Sequence, residues 1–371
     1  MRDLDLRAYA RAFGSIHGAF TMDAALLFFA YATLNEDAGV SASVAEIGVH
    51  HGLSAIAVAA TRGRGGMIAI DAFGLTETPL ASGGMTTDER IFRHNVARFY
   101  TENEWLRVIH ADSRTLDAHD LQPDPAPTFF HIDGGHSAEE THHDLSLAAG
   151  ACAPGAVVAL DDYFNPSFPG VSEGTVRFLL ERPDVLVPLA IGANKVIFRR
   201  GDVDDLNARF VERFPFVPRT RATFSGHEVL VFGSGVTKYV DLARSTPSRL
   251  VPRELTLRVD LEPHVRELIA SPGTVVPLEV RVRNRSNVPL DWSDSPFGLS
   301  YHVRGPIERY ENARLWFIPS LAEGDERAMT LQVIAPERAG EYVVEVDIVW
   351  EGICWLRDRG NAPARVPLRV T

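Results

Sequence analysis

Cysteine is scarce in this sequence: its 371 residues include two, Cys152 and Cys354, which lie far apart in the chain. Two widely separated cysteines give neither a disulfide framework nor the paired spacing of a structural zinc site. Both stand among apolar residues, which indicates buried thiols in a reducing compartment.

Long apolar runs are also missing. The first residues, MRDLDLRAYARAF, are charged and amphipathic, so we expect no secretory signal peptide. The most apolar early run, residues 24–34, is too short to cross a bilayer. These absences, and no positive signal, lead us to expect a cytoplasmic protein without a membrane span.

Positive charge is in the minority, with 37 Lys and Arg against 49 Asp and Glu and a formal net charge of -12. Such a balance argues against nucleic acid or an anionic membrane as the partner, because both attract basic surfaces. We therefore expect no nucleic-acid or membrane partner, and a homo-oligomer stays open.

The pattern of the chain changes near residue 250. Residues 1–250 alternate strand-like and helix-like segments, which predicts a Rossmann-like α/β domain whose mostly parallel sheet carries helices on both faces. Residues 1–40 would be a helical extension or lid. Residues 251–371 contain six or seven short β-rich segments between Pro, Gly and Asn turns, which predicts an all-β sandwich of immunoglobulin type.

Five apolar segments define the predicted parallel sheet: SVAEIGV, MIAID, LRVIHADS, PTFFHID and GAVVALDD. VLVPLAIG and NKVIFRR then follow almost directly, as an antiparallel pair at one edge would. Residues 72–87 are rich in Gly, Thr and Ser, and we interpret them as a long loop, either a substrate lid or a plain connection.

Acidic side chains end two of these segments. FFHIDGGH places Asp133 at a Gly-Gly turn with His136 three residues later, and GAVVALDD ends in Asp161 and Asp162. Because sites in open α/β sheets form at the carboxyl ends of strands, we expect these four residues to meet. Three carboxylates suit a hard divalent cation, and the imidazole suits a base. Taken singly, each aspartate has an ordinary alternative as a turn residue or a helix N-cap.

A glycine turn, EIGVHHGLS, follows the first segment, with Gly48 and Gly52 four residues apart. It is not the GxGxxG fingerprint of dinucleotide-binding proteins, and it lets a ligand approach the backbone without requiring phosphates. Glu46, at the end of the segment, can accept a hydrogen bond from a ligand ammonium.

The next two segments end in residues that suit a nucleoside. Asp71 lies about twenty residues after the turn and can hold ribose hydroxyls, and Asp112 and Ser113 can meet an adenine edge. A ligand that combines an amino acid, a ribose and an adenine fits this row of side chains.

With these motifs, residues 40–200 resemble the class I S-adenosylmethionine-dependent methyltransferases. EIGVHHGLS is similar to the E-x-G-x-x-x-G-x-S turn of catechol-type enzymes. IDGGH followed by LDDY is similar to the IDGxH and acidic pairs of macrocin- and mycinamicin-type sugar O-methyltransferases. Those sugar enzymes often have Glu-Asp where this chain has Asp161-Asp162, which shortens one arm.

The resemblance implies S-adenosylmethionine as the cofactor, Mg²⁺ or Mn²⁺ as the metal, and a small-molecule or glycan acceptor as the partner. It implies that Asp133, Asp161 and Asp162 ligate the metal and that His136 is the general base. The cofactor-binding residues that these motifs and the resemblance together predict are Glu46, Gly48, His50, Gly52, Ser54, Asp71, Asp112, Ser113 and Asp133.

We therefore predict a magnesium-dependent O-methyltransferase that acts on a sugar hydroxyl of a glycoconjugate or natural product. Methylation of a catechol or phenol is the alternative within the class. A NAD-dependent sugar oxidoreductase is a rival, against which the missing GxGxxG and Tyr-x-x-x-Lys patterns argue. A non-catalytic carbohydrate-binding protein is another, against which the complete acidic and histidine set argues. The C-terminal sandwich would recognise substrate or oligomerise, with its tryptophans in the core or on a sugar-stacking surface.

Overall fold

The alternating segments of the N-terminal part form a nine-stranded sheet in the computed structural model of the chain. Its strands are β1 (Ser43–Ile47), β2 (Met67–Asp71), β3 (Leu106–His110), β4 (Pro127–Ile132), β5 (Val157–Asp161), β6 (Leu186–Gly192), β7 (Lys195–Arg200), β8 (Arg219–Phe224) and β9 (His227–Phe232). The structure describes residues 4–37, 39, 42–63, 65–74, 87–100, 105–121, 125–201, 205–214, 217, 219–233, 235–247, 249–292, 296–306, 309–310, 314–351 and 353–371.

The strands lie in the order β3-β2-β1-β4-β5-β7-β6-β9-β8. The first five in this order are mutually parallel, and β7 joins β5 in the antiparallel sense. This confirms the predicted large and mostly parallel sheet. The β6–β7 hairpin is antiparallel as predicted, but it does not form the edge, because β9 pairs with β6 and β8 lies beyond it. The segment of β8, RTRATF, shows no apolar alternation that predicts a strand.

Eight α-helices accompany this sheet in the described residues. They are α1 (Leu6–Ala12), α2 (Met22–Asp37), α3 (Leu53–Ala60), α4 (Glu89–Ala97), α5 (Ala118–Leu121), α6 (Ala138–Ala151), α7 (Pro169–Glu181) and α8 (Leu206–Arg213). The predicted N-terminal extension thus contains two helices, separated by residues 13–21. Most of the predicted loop 72–87, residues 75–86, lies outside the described residues.

Strand β4 shows how helices cover both faces of the sheet. Phe130 and Ile132 are buried in one core with residues of α6 and α7. Phe129 and His131 point the other way, because successive side chains of a strand alternate. Their rings lie 4.9 and 5.0 Å from that of Phe28 on α2. A strand that is buried on both faces is a nearly continuous run of apolar residues, which is why the sequence predicts β4.

The chain divides into two compact units, residues 1–217 with 221–253, and residues 254–371 with 218–220. The second unit is all-β and contains β10 (Val259–Pro263), β11 (Leu268–Ala270), β12 (Val275–Asn284), β13 (Phe297–Arg304), β14 (Arg309–Tyr310), β15 (Leu315–Trp316), β16 (Glu326–Ile334), β17 (Gly340–Trp350), β18 (Cys354–Trp355) and β19 (Ala364–Val370). One sheet has the order β10-β12-β16, and the other the order β11-β19-β17-β13-β14, with β15 on β13 and β18 on β17.

The tryptophans of the second unit occupy different environments. Trp350 is fully buried and stacks on Phe297 with ring centroids 5.0 Å apart, so it belongs to the core. Trp292 is 54% exposed, and its ring lies 5.0 Å from that of Trp316. Both cysteines are free thiols. Among the described helices, none has the length and apolar character that a membrane crossing requires.

Truncating the core under α6 should destabilise the protein strongly. Phe130 has no exposed surface, and Phe-to-Ala changes at such sites cost about 3–5 kcal/mol through lost burial and a residual cavity. We expect Phe130→Ala to lower the free energy of unfolding by that amount in a denaturant titration. Leu180→Ala on α7 is the control, because Leu180 is 79% exposed; an equal loss in both variants would contradict the assigned core.

Candidate active site

The carboxyl ends of β1 and β4 come together at one edge of the sheet. These strands are parallel neighbours, with Ile47 paired to Ile132, and the amide of Asp133 donates to the carbonyl of Ile47 at 2.9 Å. Gly48 has a φ of +82°, and a Cβ built on it would overlap the carbonyl oxygen of Asp133. Only glycine permits this approach, so the glycine turn and the IDGGH turn meet through their backbones.

A cavity of about 390 Å³ opens along this edge, which is within the range of small-molecule sites. It is lined by most of the residues that the sequence predicts, namely Gly48, His50, Ser54, Asp71, Asp112, Ser113, Asp133, His136, Asp161 and Asp162. Residues 18–20 of the segment between α1 and α2 complete the lining on one side. The predicted cofactor and metal residues thus share one cavity, with two exceptions.

Glu46 is the first exception, because it is fully buried and does not line the cavity. Its Oε1 lies 2.9 Å from Nδ1 of His131, which is also fully buried on the neighbouring strand. Burial raises the pKa of Glu46 well above its usual value, although a hydrogen bond with Ser54 opposes the rise. Burial and the charge of Lys195 lower the pKa of His131. Glu46 thus lies behind the cavity wall, and its Oε2 has no hydrogen-bond partner in the described residues, so its predicted contact with a ligand ammonium stays a prediction.

Gly52 is the second exception. It caps the N-terminus of α3 with a φ of +94°, and its amide donates to the carbonyl of Val49 at 2.8 Å. A Cβ there would come within 3.2 Å of the Phe92 ring. Gly52 shapes the turn and its packing on α4 and does not meet the cavity.

Asp71 is held in place at the end of β2. One carboxylate oxygen accepts from the amide of His50 and the other from the amide of Phe73, both at 2.8 Å. Burial raises the pKa of Asp71, and these two hydrogen bonds act against the rise. A carboxylate fixed in this way on a cavity wall can accept hydrogen bonds from ligand hydroxyls with little loss of side-chain freedom.

Asp112 and Ser113 follow β3 and begin a short 3₁₀ turn (Ser113–Thr115). The carboxylate of Asp112 accepts from the Arg114 amide at 3.0 Å and from its guanidinium, and this hydrogen bonding lowers the pKa of Asp112. Nε2 of His143 on α6 lies 2.9 Å from the Ser113 carbonyl oxygen. Both predicted residues reach the cavity, and Asp112 also holds its own turn together.

His136 is oriented by two contacts at the other end of the cavity. Its ring stacks on Phe168 with centroids 3.8 Å apart and an angle of 11°. Its Nε2 lies 3.2 Å from Oδ2 of Asp162. Burial alone would raise the pKa of Asp162, but hydrogen bonds with His136, Asn165 and Asn194 outweigh it and lower the pKa to about 2.

Asp161 reaches the cavity as predicted but has a partner that the sequence does not reveal. Its Oδ2 forms a buried ion pair with the ammonium of Lys195, which lies opposite it in the β5–β7 register. Its Oδ1 accepts from the amide of Asp162 at 2.8 Å and from the side chain of Asn194 at 3.2 Å. A metal ion bound directly to Asp161 would compete with an ammonium, so these contacts do not favour the predicted role of Asp161 as a ligand.

The remaining acidic groups fit a hard divalent cation. One ligating atom each from Asp133, His136 and Asp162 lies within 4.8 Å of the other two. The pKa of Asp133 is raised well above its usual value by burial and by the charge of Asp161, with Lys195 opposing the rise. A cation here would relieve that cost, and carboxylate oxygens are the donors that Mg²⁺ and Mn²⁺ prefer.

Residues 45–163, about a third of the chain, match a protein-family model described as a methyltransferase domain. The match begins in β1 and ends just after Asp162, so it contains the glycine turn, Asp71, the IDGGH turn and the aspartate pair. It confirms the predicted enzyme class, a methyltransferase that uses S-adenosylmethionine. A comparison with curated proteins finds no match.

Solved structures of methyltransferases resemble the chain at low sequence identity. The O-methyltransferase NovP is 15% identical, with 50% of this chain and 84% of that chain covered and a TM-score of 0.43. CalS11, a calicheamicin methyltransferase, is 15% identical, with 53% and 92% covered and a TM-score of 0.38. An O-methyltransferase from Bacillus cereus in complex with SAH is 16% identical, with 54% and 92% covered and a TM-score of 0.39.

We predict that Asp144 makes the stability of the protein depend on pH. It is buried on α6 beneath Gly134, and burial raises its pKa to about 7. Because the unfolded chain has an aspartate pKa of about 3.9, ionisation opposes folding increasingly from about pH 4 to pH 7, by roughly 4 kcal/mol in total. We expect Asp144→Asn to raise the melting temperature at pH 8 relative to wild type far more than at pH 4.

The exposed Asp184→Asn variant is the control for this measurement. Its melting temperature should follow that of wild type at both pH values. A shift for Asp144→Asn that is the same at pH 4 and pH 8 would show that Asp144 does not titrate in this range.

Proposed function

We propose that the protein is an O-methyltransferase that transfers a methyl group from S-adenosylmethionine to a sugar hydroxyl of a glycoconjugate or natural product, with help from Mg²⁺ or Mn²⁺. The observation that carries the proposal is the meeting of His136 with Asp133 and Asp162 in the cavity that Gly48 and Asp71 also line. An oriented imidazole, a cation site and a nucleoside-type wall are what metal-assisted methylation of a hydroxyl requires.

The cofactor would lie along the ends of β1, β2 and β3. Its amino-acid end would face the turn at Gly48, where no side chain blocks the backbone, and its ribose would face Asp71. S-adenosylmethionine supplies a methyl group already activated by its sulfonium. The protein therefore has to position the oxygen of an acceptor hydroxyl in line with that methyl group and take up the proton of the hydroxyl.

His136 is the proposed general base. Stacking on Phe168 and the 3.2 Å contact with Asp162 hold its ring at the cavity, close to where an acceptor hydroxyl would bind. A carboxylate beside an imidazole stabilises the imidazolium that forms on proton uptake. A hydroxyl is a poor nucleophile at neutral pH, so removal of its proton is the step that most needs this residue.

Asp133 and Asp162 would hold the divalent cation. When bound, such an ion lowers the pKa of a neighbouring acceptor hydroxyl and fixes its orientation. Lys195 neutralises Asp161 alongside, so the charge left for the ion comes from the other two aspartates. The proposal therefore has two aspartate ligands, where the resemblance implies three.

A sugar acceptor is proposed over a catechol because the chain carries a second, all-β unit that a small phenol would not need. We propose residues 1–250 as the catalytic domain and residues 251–371 as an immunoglobulin-like sandwich for substrate recognition or self-association. Catechol methylation remains the rival within the class. Outside it, binding of NAD in place of S-adenosylmethionine would favour an oxidoreductase, and binding of neither would favour a non-catalytic role.

Loss of the base should separate catalysis from cofactor binding. We expect His136→Ala to lower methyl transfer from labelled S-adenosylmethionine to a panel of sugars and catechols by about 10²–10⁴-fold. Calorimetric titration should give an unchanged affinity for the cofactor, because His136 lies at the acidic end of the cavity.

The matched control is His142→Ala. His142 lies on α6, its Nε2 is 2.9 Å from Glu181, and it does not line the cavity. It should retain turnover. Wild-type turnover in His136→Ala would remove His136 as the base, and a panel response limited to catechols would overturn the sugar acceptor.

The metal role is tested by the amide variant of a proposed ligand. We expect Asp162→Asn to need at least about tenfold more Mg²⁺ for half-maximal turnover, because the amide keeps the shape but loses the charge that attracts the cation. Glu139→Gln, an exposed change on α6, should leave the metal response unaltered. Turnover of wild-type protein that is insensitive to EDTA would reject a metal in this site.

A further inference from the structure

Three histidines lie close together beside the turn at Gly48, apart from the acidic group. His17 lies between α1 and α2, and His50 and His51 lie in the glycine turn after β1. Their ring centroids are 5.4 Å apart for His17 and His50, 5.9 Å for His17 and His51, and 4.1 Å for His50 and His51. One nitrogen of each lies within 4.8 Å of one nitrogen of the other two.

The hydrogen bonding of His50 leaves one of its nitrogens unused. Its Nδ1 lies 3.2 Å from the carbonyl oxygen of His17, and since a carbonyl only accepts, Nδ1 carries the proton. Nε2 then presents a lone pair. That atom and Nε2 of His51 are buried without a hydrogen-bond partner in the described part of the protein. A histidine that donates one ring nitrogen to a backbone carbonyl and offers the other is the usual arrangement of a metal ligand.

Electrostatics keeps these rings ready to bind a cation. Burial and the neighbouring histidines lower the pKa of His50 to about 4, and burial lowers that of His51. The imidazole of His50 is therefore neutral near pH 7, which is the ligand form. The carboxylates of Asp71 and Asp88 act on His51 in the opposite sense, so negative charge that would favour a bound cation is close by.

We propose that His17, His50 and His51 form a binding site for a transition-metal ion of the Zn²⁺ class. Three imidazoles suit Zn²⁺, Co²⁺, Ni²⁺ or Cu²⁺, whereas Mg²⁺ and Mn²⁺ prefer the oxygens of the acidic group. In a tetrahedral zinc site with Zn–N distances of about 2.0–2.1 Å the ligand nitrogens stand about 3.4 Å apart, so the nitrogens of this cluster, which lie within 4.8 Å of one another, have to approach by at most about 1.4 Å.

The site joins two separate parts of the chain. His50 belongs to the cavity wall, and Gly18, Ala19 and Phe20, directly after His17, line the same cavity. An ion held by the three rings fastens the segment at residues 17–20 over the cavity. The inference does not depend on the methyl-transfer proposal, because it concerns a different ion and a different donor set.

The test is a titration of the metal-free full-length protein with Co²⁺, followed by the visible absorption of a tetrahedral ion, and with Zn²⁺ in competition with a chromogenic chelator. Both are done in excess Mg²⁺, which occupies oxygen-donor sites. We expect one Zn²⁺ per chain, and an affinity at least about tenfold weaker in His17→Ala and in His50→Gln. Zn²⁺ should raise the melting temperature of wild type and not that of His17→Ala.

His142→Ala is the matched control, because His142 lies on α6 and belongs to neither metal group. His17 is exposed, so its replacement should not disturb folding, and a circular dichroism spectrum checks this. Equal Zn²⁺ affinity and stoichiometry in wild type and His17→Ala would overturn the proposal. Displacement of the bound ion by Mg²⁺ would do the same, since it would place the ion at the acidic group.

Discussion

The close backbone approach of Gly48 to Asp133 is the constraint on which the rest of the site depends. The turn after β1 carries the residues proposed to hold the cofactor, and the turn after β4 begins the residues proposed to hold metal and base. They can share one cavity because no Cβ stands between the two chains at this point. A side chain at position 48 would push the turns apart and separate the two halves of the chemistry, whatever the other residues were.

The sequence predicts the parts of the fold that hydrophobic burial determines. Strands such as β4 and β5 are buried on both faces and appear as apolar runs, and the acidic residues after them mark the functional edge of the sheet. The sequence does not predict strand β8 or the partner of Asp161. Lys195 is distant from Asp161 in the sequence and lies opposite it because β5 and β7 pair in the antiparallel sense. The register of that pairing cannot be predicted from the residues near either position. The sequence does not predict the position of the Glu46 side chain either, because the pattern of a strand does not show toward which side of the sheet a carboxylate points.

Charge balance explains why the acidic end of the cavity tolerates so many carboxylates. Three aspartates in one small region repel one another, and two ways of relieving this are visible. The ammonium of Lys195 takes Asp161, while amide and imidazole donors stabilise the charge of Asp162. Asp133 has the least compensation, so its raised pKa marks where a further positive charge gains most. Three carboxylates and one ammonium leave two negative charges, which a divalent cation would balance.

The segment between α1 and α2 links this acidic end to the glycine turn. At one end His17 meets His50 and His51, and at the other the ring of Phe20 lies 5.2 Å from the ammonium of Lys195. A cation–π contact of this kind contributes about 0.5–2 kcal/mol, much less than a buried core residue does. The segment is positioned by these contacts together with the burial of Phe20, whose ring also lies 5.5 Å from that of Phe28. A change at the exposed His17 should therefore alter the shape of the cavity before it alters the stability of the sheet beneath it, whereas a change at the buried Phe20 should alter both.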